Sequence, residues 1–208
     1  MHFTSTDSTG AVRESIDLLP GQAATALSPL GLSLTQILKK RQSTREFSDR
    51  ELSLQTLSAL LWSAFGINRP AHAHRTAPSA KNWQEIDIYV ALTQGLYLFD
   101  AAAPALRLLV QKDIRAATGW QDFVPHVPVN LVYVADLAKM DPAPKEEKKF
   151  YAAADTGFIA QNVYLFCAAE GLATVIRGWV DRPALAATME LRPEQRVIMA
   201  QSVGYPKT

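Results

Sequence analysis

Arginine and hydroxyl side chains alternate in one short segment of the chain, Arg41-Gln42-Ser43-Thr44-Arg45. A guanidinium group offers planar, paired N–H donors, and hydroxyl groups can bond the oxygens that remain. Two guanidiniums and two hydroxyls within five residues suit the terminal phosphate of a small molecule. A solvated basic helix end is the alternative interpretation. Two later segments, Pro78-Ser79-Ala80-Lys81-Asn82 and Arg177-Gly178-Trp179, have the composition of turns that face a cofactor.

Helical patterns lie on both sides of this basic segment. Ser33 and Gln36 form a capping box ahead of an apolar stripe, so a short helix is predicted to deliver the segment at its C-terminal end. Ser53 is predicted to cap a second helix that Gly66 closes. The residues between Asn68 and Ala80 are predicted to form a loop.

The rest of the chain alternates between strand and helix patterns. Strands are predicted over Ile86–Leu92, Leu96–Phe99, Val129–Ala135, Leu172–Ile176 and Arg196–Val203. Helices are predicted from a cap at Asp100 to Thr118, from Lys145 to Glu170 with Gly171 as its end, and after a cap at Asp181. The segment from Gly119 to Pro128 is expected to be irregular. This order predicts an α+β fold with a mixed central sheet flanked by helices.

The long helix carries two unusual features. Gly157 lies in its interior at a cost of about 1 kcal/mol relative to alanine, which predicts close backbone approach by another helix. Residues Val163 to Ala169 are apolar on nearly every side, which predicts a central, fully buried element.

Composition narrows the classes of function. The chain has 208 residues, 48% of them hydrophobic, and a net charge of +1, so it shows no nucleic-acid footprint. We expect an N-terminal arm over residues 1–32 and one domain over 33–208.

The polar start and the lack of a long uncharged apolar stretch predict a cytoplasmic protein without a signal peptide or membrane span. Cys167 lies in an apolar run and is expected to be a buried thiol.

Taken together, several segments resemble the FMN-dependent nitroreductase family. They are Leu38 to Phe47, Leu60 to Arg69, Arg75 to Asn82, Gly95-Leu96-Tyr97, Asp155-Thr156-Gly157, Gln161 to Leu165, Gly171 to Gly178 and Val203 to Pro206. No one segment is specific, but their order and spacing over about 175 residues are. The resemblance implies a homodimer with two FMN sites at its interface, reduced by NADH or NADPH.

The resemblance also implies roles for particular residues. Arg41, Gln42, Ser43, Thr44 and Arg45 would hold the FMN phosphate and ribityl chain, with Lys207 near the phosphate. Pro78, Ser79, Ala80 and Asn82 match the turn that reaches the partner's FMN, and Ile176, Arg177 and Gly178 match the turn whose amides face the flavin N5 edge. Either Arg45 or Lys81 would be the cation near the flavin ring.

One departure from the family pattern follows Asn82. Many relatives have a small or apolar residue there and then Gln-Pro, whereas this chain has Trp83-Gln84-Glu85, so Glu85 stands in place of the proline. The specialised sequence of azoline-forming relatives is also missing there. The resemblance therefore implies reduction of nitroaromatics, quinones or similar electron-poor acceptors, with the segment Gly119–Pro128 setting the choice. Oxidation of peptide azolines, reduction of enones or halogenated aromatics, and a non-catalytic flavin-binding dimer remain alternatives.

Several other residues allow two interpretations. His72 and His74 resemble half of a metal site, but no cysteine or acidic cluster accompanies them, so we expect a loop and no metal. His126 is expected to be a loop residue. Trp120, Phe123 and Trp179 could contact the flavin or pack in the core, and Trp62 fits the core better.

Overall fold

The computed structural model of the chain describes residues 3–6, 12–19 and 31–207. Within these ranges the α-helices are α1 (Leu34–Lys40), α2 (Leu54–Phe65), α3 (Lys145–Glu170) and α4 (Arg182–Thr188). The strands are β1 (Phe3–Thr6), β2 (Val12–Asp17), β3 (Ile67–Arg69), β4 (His74–Arg75), β5 (Ile86–Leu92), β6 (Gly95–Asp100), β7 (Ala105–Val110), β8 (Val129–Asp136), β9 (Ala173–Arg177) and β10 (Gln195–Gly204). Short 3-10 turns cover Pro70–His72, Ala80–Asn82, Arg115–Thr118, Val124–His126 and Leu137–Met140.

One eight-stranded sheet forms the centre of the fold. Its order is β1-β2-β7-β6-β5-β8-β10-β9, and every described pair in it is antiparallel. The α+β class with helices flanking a sheet is confirmed. The antiparallel pairing differs from the mixed sheet that the sequence predicts: hairpins join β1 to β2, β5 to β6 and β6 to β7, and the longer connections also return antiparallel.

Both faces of the central strands are covered. Alternate residues of β5 and β8, among them Ile88 and Tyr133, pack with α2 and α3 on one face. The intervening residues, such as Tyr89 and Val132, pack with α4 on the other face. All eight residues of β8 are therefore buried, which accounts for the apolar run over residues 131–135.

The predicted helix from Asp100 to Thr118 is wrong. Asp100 does accept hydrogen bonds from the amides of Ala102 and Ala103, but these close a turn instead of starting a helix. Residues Ala105–Val110 form β7, which pairs with β6 on one side and β2 on the other. Pairing with both neighbours outweighs the helix propensity of an Ala/Leu-rich sequence.

The other helix limits follow their sequence signals. Ser33 and Gln36 make the capping box, Ser53 caps α2, Asp181 caps α4, and Gly171 ends α3 with φ +70°. The predicted loop from Asn68 to Ala80 contains the short β3–β4 hairpin. Strands β1 and β2 come from the predicted arm and extend the sheet edge, and residues 20–30 of that arm lie outside the described residues.

Two expectations about α3 do not hold within one chain. A Cβ atom on Gly157 would meet nothing within 4 Å, so no described helix approaches it. Leu165 and Phe166 are only half-buried, although Val163 and Cys167 are buried as predicted. The apolar surface of α3 therefore exceeds what the described residues cover.

Candidate functional site

The basic segment 41–45 lies beside the start of β9. Arg41 is the C-cap of α1, and the Thr44 amide donates to the Thr174 carbonyl at 3.0 Å. The Arg41 guanidinium carbon stands 5.4 Å from the centroid of the Tyr164 ring, on α3. A strand end and a long helix therefore hold the segment in place, which a freely solvated helix end would not require.

Tyr164 connects two of the predicted cofactor segments. Its hydroxyl lies 2.7 Å from the Ser43 hydroxyl and accepts a hydrogen bond from the Ile176 amide at 3.1 Å. One side chain thus joins the two segments. The sequence assigned no role to Tyr164, because its partners are 121 and 12 residues away along the chain.

Arg45 and Lys207 meet at one cavity of about 560 Å³, which Glu46, Phe47, Phe123 and His126 also line, so two cations and one carboxylate surround it. The C-terminal residues run beside the basic segment, where the Ser48 amide donates to the Tyr205 carbonyl at 2.9 Å and the Lys207 amide to the Glu46 carbonyl at 3.3 Å. In the part of the chain that the structure describes, neither basic side chain has an ion-pair partner. Two free cations facing one cavity suit an anionic group.

Gln42 and Thr44 line a second cavity, of about 430 Å³. Lys39, Lys40 and Tyr164 lie around it, together with the residues that end α3 and begin β9. Of the five residues predicted to hold a phosphate, Gln42 and Thr44 therefore face this cavity, whereas Arg45 faces the other one.

The predicted turn Pro78–Asn82 is built differently from an ordinary turn. Lys81, Asn82 and Gln84 all have positive φ angles of about 50° (49°, 54° and 48°), which is a strained conformation for residues other than glycine. The Asp155 carboxylate accepts a hydrogen bond from the Ala80 amide at 2.8 Å, and the Ser79 hydroxyl accepts one from the Gln84 amide at 3.1 Å. These two bonds hold the turn in that conformation.

Lys81, one of the two candidate cations near a flavin ring, is already engaged. Its ammonium group pairs with Glu147 at 2.7 Å and lies 4.7 Å from the centroid of the Trp83 ring. Trp83 in turn packs edge-on against Tyr151 of α3. Arg45, the other candidate cation, has no ion-pair partner among the described residues.

Two carboxyl groups lie beneath this turn. Glu85 is fully buried, and neither of its oxygens has a hydrogen-bond donor among the described residues. Removal from water raises the pKa of Glu85 to about 7, with the Asp155 charge acting in the same direction and Lys139 against it. Burial also raises the pKa of Asp155. A proton shared between the two carboxyl groups supplies the donor that Glu85 lacks.

One chain does not bring the 78–82 turn and the 41–45 segment to a common point. Their anchors on α3, Asp155 and Tyr164, are nine residues apart. At 1.5 Å and 100° per residue this corresponds to roughly 13 to 14 Å along the helix axis and half a turn around it. The two groups of predicted residues thus lie on opposite sides of α3.

The third predicted group, Ile176–Gly178, ends β9. The Arg177 guanidinium points into the core, only 3% exposed, and bonds the Thr118 carbonyl, Asn130 and Ser202. Gly178 is exposed, and a Cβ atom there would find its nearest neighbour at 3.9 Å. The main chain at this position is open to a ligand, whereas the Arg177 side chain is not.

The structure shows where the aromatic and histidine residues that allowed two interpretations lie. Phe123 packs against Phe47 and lines the Arg45 cavity, whereas Trp120 and Trp179 stack on each other and are exposed. The rings of His72 and His74 lie 5.5 Å apart, and the described residues contain no group of three or more side chains able to hold a metal.

The model of the Nitroreductase family matches residues 38–205, which include all three groups of predicted residues except Lys207. The chain belongs to the Nitroreductase family. The family and the fold support an oxidoreductase. No helix in the described ranges is long and apolar enough to cross a membrane.

Three relatives illustrate the range of the similarity. A protein of Methanocaldococcus jannaschii, provisionally named a nitroreductase, is 29% identical over 157 residues, which is 71% of this chain and 79% of that protein. A crystal structure from Ralstonia eutropha JMP134, also provisionally named a nitroreductase, is 37% identical with a TM-score of 0.86, covering 100% of this chain and 95% of the other. An Escherichia coli microcin synthetase complex shares the fold at 20% identity and a TM-score of 0.70, covering 87% and 75%.

Proposed function

We propose that two copies of this chain bind FMN between them and use NADH or NADPH to reduce nitroaromatic, quinone or similar electron-poor acceptors. Membership of the Nitroreductase family supports the redox class. The observation that carries the proposal is the position of Arg45 and Lys207, two cations that face one cavity and have no ion-pair partner among the described residues.

The donor set fits the phosphate end of FMN. Arg45 and Lys207 provide charge, and Arg41 lies on the same segment over the Tyr164 ring. Guanidinium groups bind phosphate oxygens in pairs, and an ammonium group adds a compact point charge. The Ser43 hydroxyl is already held by Tyr164, so its oxygen is fixed in position before any ligand binds.

A second copy of the chain would bring the 78–82 turn to the FMN that the 41–45 segment of the first copy holds. The 78–82 turn and the 41–45 segment lie on opposite sides of α3, so both reach a single FMN only if they come from different chains. Apolar side chains exposed along α1 and α3, namely Leu34, Leu38, Phe150 and Phe158, offer a surface for that second copy. The open space at Gly157 fits close approach by a helix of the partner.

Bound FMN would supply the redox chemistry, taking a hydride from the reduced nicotinamide and passing the electrons on to the acceptor. The protein's part is positional. The exposed main chain at Gly178 lets a flat ring approach closely, and the Ile176 amide is held by Tyr164. Fixing reactants face to face accounts for much of the rate in such reactions, so no side-chain nucleophile or general base is required.

Replacing both Arg41 and Arg45 by alanine tests the proposal. We expect the wild-type protein to be yellow, to be reduced by NADH or NADPH, and to gain thermal stability with added FMN. The double variant should lose at least tenfold in FMN affinity, since each charge-assisted bond contributes about 1.5–3 kcal/mol. Arg107→Ala, a half-exposed arginine on β7, is the matched control and should bind FMN normally.

Three outcomes would contradict the proposal. A colourless wild-type protein that does not bind added FMN would show that FMN is not its cofactor. Unchanged FMN affinity in the double variant would show that Arg41 and Arg45 do not bind the phosphate. Bound FMN that resists reduction by excess NADH and NADPH would instead assign the chain to flavin binding without turnover.

A further inference from the structure

Two buried carboxyl groups lie directly beneath the 78–82 turn. Glu85 is 0% and Asp155 2% exposed, and neither oxygen of Glu85 meets a hydrogen-bond donor among the described residues. Two ionised carboxylates in this position would repel each other, and the Glu85 charge would be buried without a partner. The pair is therefore stable when one proton lies between the two groups.

The same pair restrains the backbone above it. The Asp155 carboxylate accepts a hydrogen bond from the Ala80 amide at 2.8 Å, near one end of a turn that leads into Glu85. Three residues in between have positive φ angles, namely Lys81, Asn82 and Gln84. Left-handed backbone is unfavourable for residues other than glycine, so this turn relaxes when its restraint is lost.

The turn is the part of this site that can move. Asp155 lies in the middle of the 26-residue helix α3. Glu85 directly precedes β5, and its carbonyl accepts a hydrogen bond from the Asp136 amide at 2.9 Å. Since a long helix and the central sheet fix the two acid residues, repulsion between them acts on the turn that joins them.

One cation faces the pair, and it is already engaged. The Lys139 ammonium group lies 2.7 Å from the Asp87 carboxylate and 3.4 Å from the Gln84 carbonyl, so it neutralises an ionised Glu85 poorly. Other charged side chains next to the turn have partners of their own. These are Arg75 with Gln84 and the Phe65 carbonyl, Lys81 with Glu147, and Arg192 with Asp136.

Loss of the shared proton falls within the neutral range. Burial raises the pKa of Glu85 to about 7, so above this pH the proton passes to solvent and two negative charges remain in one buried site. A carboxylate that moves into water relieves both the repulsion and the dehydration. Because the Ala80 amide is bonded to one of these carboxylates, such a movement releases the turn.

We propose that Glu85 and Asp155 are positioning residues whose shared proton holds the 78–82 turn in its FMN-binding form, so that losing this proton weakens FMN binding. The proposal rests on the proposed function, in which this turn contacts the FMN of the partner copy, and it adds regulation of that site by pH. Neither carboxyl group takes part in hydride transfer. Slightly acidic solution should favour the bound form, and mildly alkaline solution should favour release.

Titration with FMN at several pH values tests the proposal, with the change in flavin fluorescence as the measure of binding. We expect the ratio of the wild-type Kd to the Glu85→Gln Kd to rise about tenfold between pH 6 and 8.5, since the pair loses its proton in this interval. An amide at position 85 stays neutral and donates to Asp155. Taking the ratio also cancels the ionisation of the FMN phosphate, whose own pKa is about 6.

Two further variants make the result specific. Asp155→Ala removes the acceptor of the Ala80 amide and should bind FMN weakly at every pH, while its circular dichroism stays that of the wild type. Glu170→Gln is the matched control, because burial also raises the pKa of Glu170 on the same helix. It lies roughly 22 Å from Asp155 at 1.5 Å per residue and should keep the wild-type pH dependence.

Trp83 reports on the turn in protein without FMN. Its ring centroid lies 4.7 Å from the Lys81 ammonium group. Its emission is obtained as the difference between proteins with and without Trp83→Phe. This emission should shift to longer wavelength between pH 6 and 8.5 and should stay constant when Glu85→Gln is also present.

Parallel wild-type and Glu85→Gln titrations, loss of the pH dependence in Glu170→Gln, or tight binding by Asp155→Ala would each overturn the proposal. A protein that binds no FMN at any pH would contradict the proposed function instead. The Trp83 emission would then still decide whether the proton holds the turn.

Discussion

The Tyr164 hydroxyl shows how much of the candidate site depends on single atoms far apart in sequence. It holds Ser43 and the Ile176 amide together, and thereby two segments that resemblance alone assigned to one cofactor. The sequence predicted the segments because their residue types suit phosphate and flavin. It could not predict Tyr164 as their connection, because no local pattern encodes a contact across 121 residues.

Glu85 is a second residue whose surroundings could not be predicted from the sequence. The sequence marks it as the residue that replaces a family proline, but its burial beside Asp155 depends on tertiary structure. The strained turn above it lacks the stiffness of that proline. The bond from the Ala80 amide to Asp155 supplies a constraint in its place.

The acid pair predicts a pH-dependent stability. The native state holds a proton on Glu85 up to a pKa of about 7, whereas the unfolded chain releases it near 4.5. Between these values the native state binds more protons, so the free energy of unfolding falls as the pH rises, by up to about 3 kcal/mol. Urea denaturation at intervals from pH 4.5 to 8 measures this.

Glu85→Gln should remove most of the dependence, since an amide stays neutral and donates to Asp155. The variant should resemble the wild type near pH 4.5 and exceed it in stability at pH 8. Glu147→Gln changes a partly exposed carboxylate near the same turn and should keep the wild-type slope. Parallel curves for Glu85→Gln and the wild type would show that Glu85 does not hold the proton.

At the scale of elements, local signals predicted helix ends better than they predicted strands. The caps at Ser33, Ser53 and Asp181 act within three residues, so sequence alone reveals them. Strand β7 was hidden in an Ala/Leu-rich stretch, because its partners β2 and β6 decide its state. Burial of β8 on both faces, by contrast, follows from the apolar run over residues 131–135.

The Arg177 guanidinium of β9 bonds the Thr118 carbonyl and packs against Gly119, so a substitution at Gly119 should lower the free energy of unfolding strongly. Gly119→Ala places a methyl group against the Arg177 guanidinium and should break its bond to the Thr118 carbonyl. We expect a loss of about 2–4 kcal/mol from overpacking and an unsatisfied buried donor. Chemical denaturation at constant pH measures the loss.

Gly178→Ala is the matched control, because its methyl group would meet nothing closer than 3.9 Å. It should change the free energy of unfolding by less than about 0.5 kcal/mol. An equally small effect at Gly119 would mean that the loop moves to accommodate the methyl group without a loss of stability.

At the scale of the whole molecule, the described residues leave one helix incompletely covered. Exposed Phe158, half-buried Phe166 and the open space at Gly157 lie on α3, the helix that anchors both groups of predicted cofactor residues. A second copy packed on α3 would cover this surface and would also bring the 78–82 turn of one chain to the 41–45 segment of the other. Assembly and cofactor binding should therefore be lost together.

Phe158→Glu tests that coupling, since a carboxylate on a surface that becomes buried costs several kcal/mol. We expect the wild type to sediment as a dimer that carries FMN, and the variant to sediment as a folded monomer with little flavin. Leu109→Glu places the same charge at a comparably exposed apolar position on β7 (45% against 48%) and should remain a yellow dimer. Sedimentation velocity with absorbance at both protein and flavin wavelengths reads assembly and cofactor in one experiment. A monomeric Phe158→Glu protein that keeps its FMN would show that one chain completes the site, and a dimeric one would place the interface away from α3.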